Sequence, residues 1–168
     1  MNEQSTSRLL KNYFNARKSW EGWCYLNNID LKQNNPIIRK YVDDNELLFH
    51  CRFLLLKDLH IELYKIIKDS GNTIDNIFKL LRENGSQKAN ELITQLGEIK
   101  TELKSVTDTR DKFYAHLDEE YKDYLSSFDI QDFYQIFELI EQAIITLGKE
   151  KELFELLKTI PSRDEFEI

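Results

Sequence analysis

Glycine and proline are scarce. The 168-residue chain has five glycines and two prolines, against usual shares of about 7% and 5%. That shortage excludes a sandwich, a barrel or any other fold rich in tight turns. Cysteine and histidine are nearly as rare. Cys24 and Cys51 form no CxxC pair, and His50, His60 and His116 are scattered. Zinc fingers, zinc-dependent deaminases and iron–sulfur sites are thereby excluded, since each needs clustered ligands of these types. No GxGxxG, GxxxxGK[ST] or GxSxG is present, so dinucleotide, P-loop and α/β-hydrolase chemistry have no foothold. Long apolar runs are missing too. The most apolar stretch, Phe53 to Leu56, is closed by Lys57-Asp58, far too short for a bilayer. Met1 to Ser7 show no basic segment followed by an apolar one, so no signal peptide is expected. No cofactor is expected, and the expected setting is the cytoplasm with reduced thiols.

What is present points to a packed helical protein. Hydrophobic residues make up 41% and aromatics 12%, too much for a disordered chain. A chain of this length predicts one domain, burying roughly 70% of its unfolded surface. The net charge is −7, which argues against the broad basic footprint of a tight nucleic-acid binder. The charge is uneven: residues 1–116 carry a net +2 and residues 117–168 a net −9.

Helical periodicity runs through almost the whole chain. Leu9, Leu10, Tyr13, Phe14, Arg17, Trp20 and Cys24 recur at three and four residues, predicting a first helix from a cap at Ser5–Ser7 to about Asn27. Asn34-Asn35-Pro36 reads as a turn, with Pro36 opening a short helical piece, Ile37 to Tyr41. Asp43-Asp44 are placed to cap a long helix over about 45–69. That helix has two apolar faces, so it is central, packed on both sides. Gly71 would end it. A shorter helix from Ile74 to about Arg82 follows, then a cap at Ser86. Leu92, Leu96, Ile99, Leu103 and Val106 form the next apolar seam. Continued, that count lands on Arg110, Phe113 and Leu117, with Thr107-Asp108-Thr109 as a possible break and recap. Beyond Ser126-Ser127, Ile130, Phe133, Phe137, Ile140, Ile144 and Leu147 line another helix, and Leu153, Phe154 and Leu157 continue the pattern to Pro161. Residues 161–168 read as an acidic, mobile tail. The expected fold is all-α, a bundle of four to five main helices with short extra segments.

One stretch, Arg110-Asp111-Lys112-Phe113-Tyr114-Ala115-His116-Leu117-Asp118, combines a fixed cation with a histidine six residues on. On a straight helix those two side chains sit roughly 120° apart, so a bend or a second copy would be needed to bring them together. This stretch resembles the R-[ND]-K-x-x-A-H-x-D motif of the HEPN superfamily, especially the HEPN domains of bacterial abortive-infection and toxin–antitoxin systems. The upstream block at residues 59–69 and 77–81 also resembles the helix before that motif. The resemblance covers roughly residues 45–145, within a single helical domain over 1–160, and does not extend to the first 40 residues.

The resemblance implies a metal-independent endoribonuclease in which two protomers face each other across one cleft. His116 would serve as general base or acid for attack of a ribose 2′-OH on the adjacent phosphate, its ordinary pKa lying near working pH. Arg110 would hold the phosphate and stabilise charge in the transition state, and Asp111 would orient Arg110. The ends would be 2′,3′-cyclic phosphate and 5′-OH. Lys112, Tyr114 and Asp118 are implied in support, and in one reading Glu62 or Asp69 faces the cleft from the preceding helix. The partners implied are RNA, a second copy of the chain, and an antitoxin or defence-system protein; no membrane is implied.

Other readings stay open. Arg110 pairs with Asp108, Asp111 or another carboxylate, and His116 is a packed helical histidine. Phe113 and Tyr114 are core residues. Asp58, Glu62, Lys65 and Asp69 form a solvated stripe with a Glu62–Lys65 pair. His50 and His60 read as structural, Trp20 and Trp23 as packing residues, and Cys24 and Cys51 as buried thiols. A non-catalytic HEPN module for dimerisation or partner binding, and an unrelated bundle, are the competing readings of the whole.

Overall fold

The structure, a computed structural model, describes residues 3–27, 29, 36–68, 76–115 and 129–161, with side chains for all of these except 36–39, 107 and 109–115. Among the described residues there are eight helices and no strand: α1 (Glu3–Leu26), α2 (Pro36–Asp44), α3 (Glu46–Ile67), α4 (Ile77–Asn84), α5 (Gln87–Glu98), α6 (Lys100–Ala115), α7 (Ile130–Thr146) and α8 (Glu150–Leu157). The all-α expectation holds. α3 ends at Ile67, short of the expected end near 69 and stop at Gly71, and α4 starts at Ile77 after its cap Asn76, not at Ile74. The turn at Asn34-Asn35, the break at Ser126-Ser127 and the tail beyond Pro161 lie outside the described residues.

Helix ends follow side-chain chemistry. Asn45, Asn76, Ser86 and Asp129 are N-caps whose side-chain oxygens accept the N–H of Leu48 (3.1 Å), Lys79 (2.7 Å), Ala89 (3.2 Å) and Gln131 (2.9 Å), which satisfies otherwise orphaned donors. Asn45 therefore caps α3, not Asp43-Asp44 as the acidic pair suggested. Those two residues close α2 instead, three residues beyond the expected end at Tyr41. Gly85 takes φ +66° after α4, and its N–H reaches the Leu81 carbonyl at 3.1 Å; that left-handed position favours glycine.

α1 and α3 form the centre, packed antiparallel along most of their lengths. Asn27 meets Arg52, Gly22 approaches Leu55 and Ser19 meets Asp58. The approach at Gly22 is close: a Cβ there would lie 3.2 Å from Leu55 Cδ1. α1 buries Leu9, Tyr13, Ala16, Trp20 and Trp23, alternating at four and three residues, the spacing of one helix face. α3 is covered on another side by α6, while α5 packs on α4 and α7. The core runs continuously from α1 through α3 to α7. Its middle is aromatic. Trp20 stacks on Phe133 at 5.2 Å and 4° between planes, with Phe137 and Tyr134 around it. Trp20 and Trp23 are thus packing residues.

The long fourth element differs from its expected form. The helix breaks at Ile99, not at Thr107-Asp108-Thr109, and then runs without interruption to Ala115. Leu92, Leu96, Ile99, Leu103 and Val106 are all buried, so the apolar seam crosses the break intact.

Candidate functional site

α6 carries the segment singled out in the sequence. Packing of Leu103 and Val106 fixes its rotation. Arg110, Asp111, Lys112 and Tyr114 all belong to its last two turns. Position 110 follows Leu103 by seven residues and Val106 by four, which in an α-helix leaves it within roughly 40° of both. Positions 110 and 114 share a face by the same rule. His116 and Asp118 lie outside the described residues.

Glu62 is placed more fully. Its side chain is buried rather than solvated. One carboxylate oxygen, Oε1, accepts from Lys65 Nζ at 2.5 Å, so the expected Glu62–Lys65 pair forms. The other, Oε2, is buried with no hydrogen-bond partner among the described residues. Seven residues after Leu55 and four after Asp58, Glu62 lies within roughly 40° of both around the α3 axis. Those two residues meet Gly22 and Ser19 of α1. Glu62 therefore belongs to the α1 side of α3. Asp58 remains exposed but is bonded to Ser19; Asp69 is outside the described residues.

The electrostatics along α6 are uneven. Near its start, Glu102 acts on Asp132, whose carboxyl is pushed above its ordinary range by burial, then by Asp129 and Glu102. Lys100 and Lys104 share the N-terminal half of α6 with Glu102, while Arg110 and Lys112 belong to the last two turns together with Asp108 and Asp111.

Two charged or titratable residues outside this segment are informative. His60 is completely buried, its Nδ1 2.8 Å from the Leu56 carbonyl and its ring edge-on to Phe133 at 5.7 Å. Burial pulls its pKa down to about 4, with the Leu56 hydrogen bond opposing, so it is a neutral structural histidine. Arg52, not singled out by sequence reasoning, is also buried. It donates to Asp43 at 3.1 Å and to Asn27 at 3.3 Å, and lies over the Phe49 ring. No periodic signal marked it, because it falls on the apolar side of α3. Cys24 is buried as expected, whereas Cys51 is only half-buried. Among the described residues, no group of three or more His, Cys, Asp or Glu side chains is arranged to hold a metal ion. No helix among them is long and apolar enough to cross a membrane.

Comparison with family models, with curated proteins and with solved structures finds nothing that matches this chain.

Proposed function

We propose that this chain is a metal-independent endoribonuclease of the HEPN type, acting in a phage-defence or toxin–antitoxin system as a homodimer with a composite site. The observation that carries the reading is the sequence Arg110-Asp111-Lys112-Phe113-Tyr114-Ala115-His116-Leu117-Asp118, with its first six residues on one helix of an all-helical bundle. In this reading His116 takes the proton from a ribose 2′-OH as that oxygen attacks the neighbouring phosphorus, and a proton is returned to the departing 5′-oxygen. Arg110 stabilises the charge that builds on the phosphoryl oxygens. Asp111 aligns Arg110, and Lys112, Tyr114 and Asp118 support the phosphate path. The products are a 2′,3′-cyclic phosphate and a 5′-OH, a cleavage in which no water is consumed.

Pairing of two copies is supported by an exposed apolar surface. Tyr41, Leu47, Phe49 and Leu54 are exposed, and Leu47 and Leu54, seven residues apart, share one face of α3; exposed apolar surface is a feature of interaction sites. Two facing copies would place four cations, Arg110 and Lys112 from each, in one groove. That local charge suffices for cleavage in a protein of net charge −7, and the acidic remainder disfavours indiscriminate RNA binding.

The test is incubation of the purified protein with structured RNAs in EDTA, beside His116→Ala, with analysis of the product ends. Cyclic phosphate ends formed by the wild type and not by the variant support the reading. Equal cleavage by both, or none by either, removes it and leaves a binding module.

A further inference from the structure

The helical run that ends in the Arg110 segment is in two pieces. α5 stops at Glu98, Ile99 leaves helical geometry at φ −95° and ψ 28°, and α6 starts at Lys100. The Ile99 N–H reaches the Gln95 carbonyl at 3.4 Å, and the Leu103 N–H regains the Ile99 carbonyl at 3.0 Å; the first is a long, weak bond and the second an ordinary one. The two pieces lean on different partners, α5 on α4 and α7, α6 on α3. The uninterrupted seam of buried residues through the break shows that periodicity did not demand it.

Gly97 sits two residues before the break. It is exposed, and a Cβ built on it would meet nothing within 4 Å. Positive φ occurs at Gly85 and Gly148, not here. Neither packing nor backbone geometry in this conformation calls for glycine, and glycine is among the poorest helix formers. Ile99 itself has negative φ, in the sparsely populated bridge region that does not call for glycine, so a static bend also needs no glycine nearby. A second conformation, in which Gly97 leaves the helix, accounts for it.

We propose that Gly97–Ile99 is a hinge, with buried Ile99 as its pivot, about which α6 swings relative to α3 while α5 stays seated on α4 and α7. Residues 110–115, at the far end of α6, would move most. The hinge stands on the fold alone; that the moving segment handles phosphate rests on the function proposed above.

The experiment needs no RNA. Lys88→Cys on α5 and Asp108→Cys on α6, both exposed, lie roughly 30 Å apart along the run at 1.5 Å per residue. Spin labels there, in a Cys51→Ser background with buried Cys24 kept, report their separation by pulsed dipolar spectroscopy. The expected result is a broad or two-peaked distance distribution with Gly97. With Gly97→Ala the minor population falls about fivefold, the factor set by the glycine-to-alanine helix preference. A single narrow distribution already present with Gly97, or a breadth unchanged by alanine, overturns the hinge. A protein that shows the Gly97-dependent breadth yet never cleaves RNA retains the hinge and loses the nuclease.

Discussion

The Tyr13 hydroxyl donates to a carboxylate oxygen of Glu141, joining α1 to α7 across the aromatic centre of the bundle. Tyr13 is fully buried, and burial holds its phenol well above the ordinary range, with Arg17 opposing and Glu141 adding to the rise. Arg17 reaches the same carboxylate at 3.7 Å and lies over the Phe137 ring at 5.0 Å. Glu141 therefore keeps a cation and partial access to water if the phenol is removed. Tyr13→Phe is expected to destabilise the protein by about 1 kcal/mol, the net worth of one hydrogen bond. Tyr13→Ala is expected to cost about 3–5 kcal/mol by opening a cavity in the core. Urea unfolding of the two variants measures both, and a Tyr13→Phe protein as stable as wild type would show that the hydroxyl contributes nothing.

His60 makes stability depend on pH in a defined window. Its pKa is about 4 in the fold and about 6.5 when unfolded. Between these values the unfolded chain binds a proton that the native state refuses. Stability is therefore fully present above about pH 6.5 and lost as pH falls toward 4, with a limiting slope of about 1.4 kcal/mol per pH unit. Unfolding midpoints of wild type and His60→Gln, compared from pH 7 to pH 5, isolate the effect before most carboxylates titrate. The difference between them is expected to shrink as pH falls. A constant difference would mean that His60 titrates alike in both states.

Arg52 ties three helices together through Asn27, Asp43 and the Phe49 ring. Asp43 is 47% exposed on its side chain, so it regains hydration when the pair is broken, and solvent screening limits the value of the pair. Arg52→Met keeps the buried stem and removes the donors. It is expected to cost about 1–2 kcal/mol and to release α2 first. Amide hydrogen exchange within 40–44 should accelerate more than exchange in α3, whereas uniform acceleration would show that α2 does not depend on Arg52.

The difference between what the sequence reveals and what it hides is visible in these residues. Tyr13, Trp20, Phe133 and Phe137 lie on clean helical stripes, so the apolar faces and the all-α class were legible from spacing alone. Ser86 was legible as a cap because a hydroxyl before an apolar run has few other uses. Arg52 was not, since a charged residue on an apolar face is buried only when partners come from elsewhere in the chain, here from positions 27 and 43. The burial of Glu62 is hidden for the same reason: one-dimensional pattern does not show which side of α3 receives α1. The break at Ile99 was hidden because the apolar count continues through it, and Asp108 with its flanking threonines offered a more conspicuous capping pattern. The Arg110 segment was legible as a motif, and its helical setting from Lys100 to Ala115 is what the structure adds.

That setting determines how substitutions in the segment should be read. Arg110 is in the last two turns of a helix that packs on α3, and alanine is a good helix former. Arg110→Ala should leave far-ultraviolet circular dichroism and the unfolding midpoint close to those of wild type. In the proposed nuclease the loss is chemical. Removing the group that stabilises phosphoryl charge should lower single-turnover RNA cleavage by about 10²–10³, and His116→Ala by about 10²–10⁴. Arg110→Lys should recover only part of the rate, because an ammonium lacks the planar, two-pronged donor set of a guanidinium. Mixing Arg110→Ala with His116→Ala protein provides the sharpest check. If the site is composite, and each face draws its arginine and histidine from different copies, heterodimers regain one intact site and cleavage returns in part. If both residues act within one copy, the mixture stays as inactive as either variant.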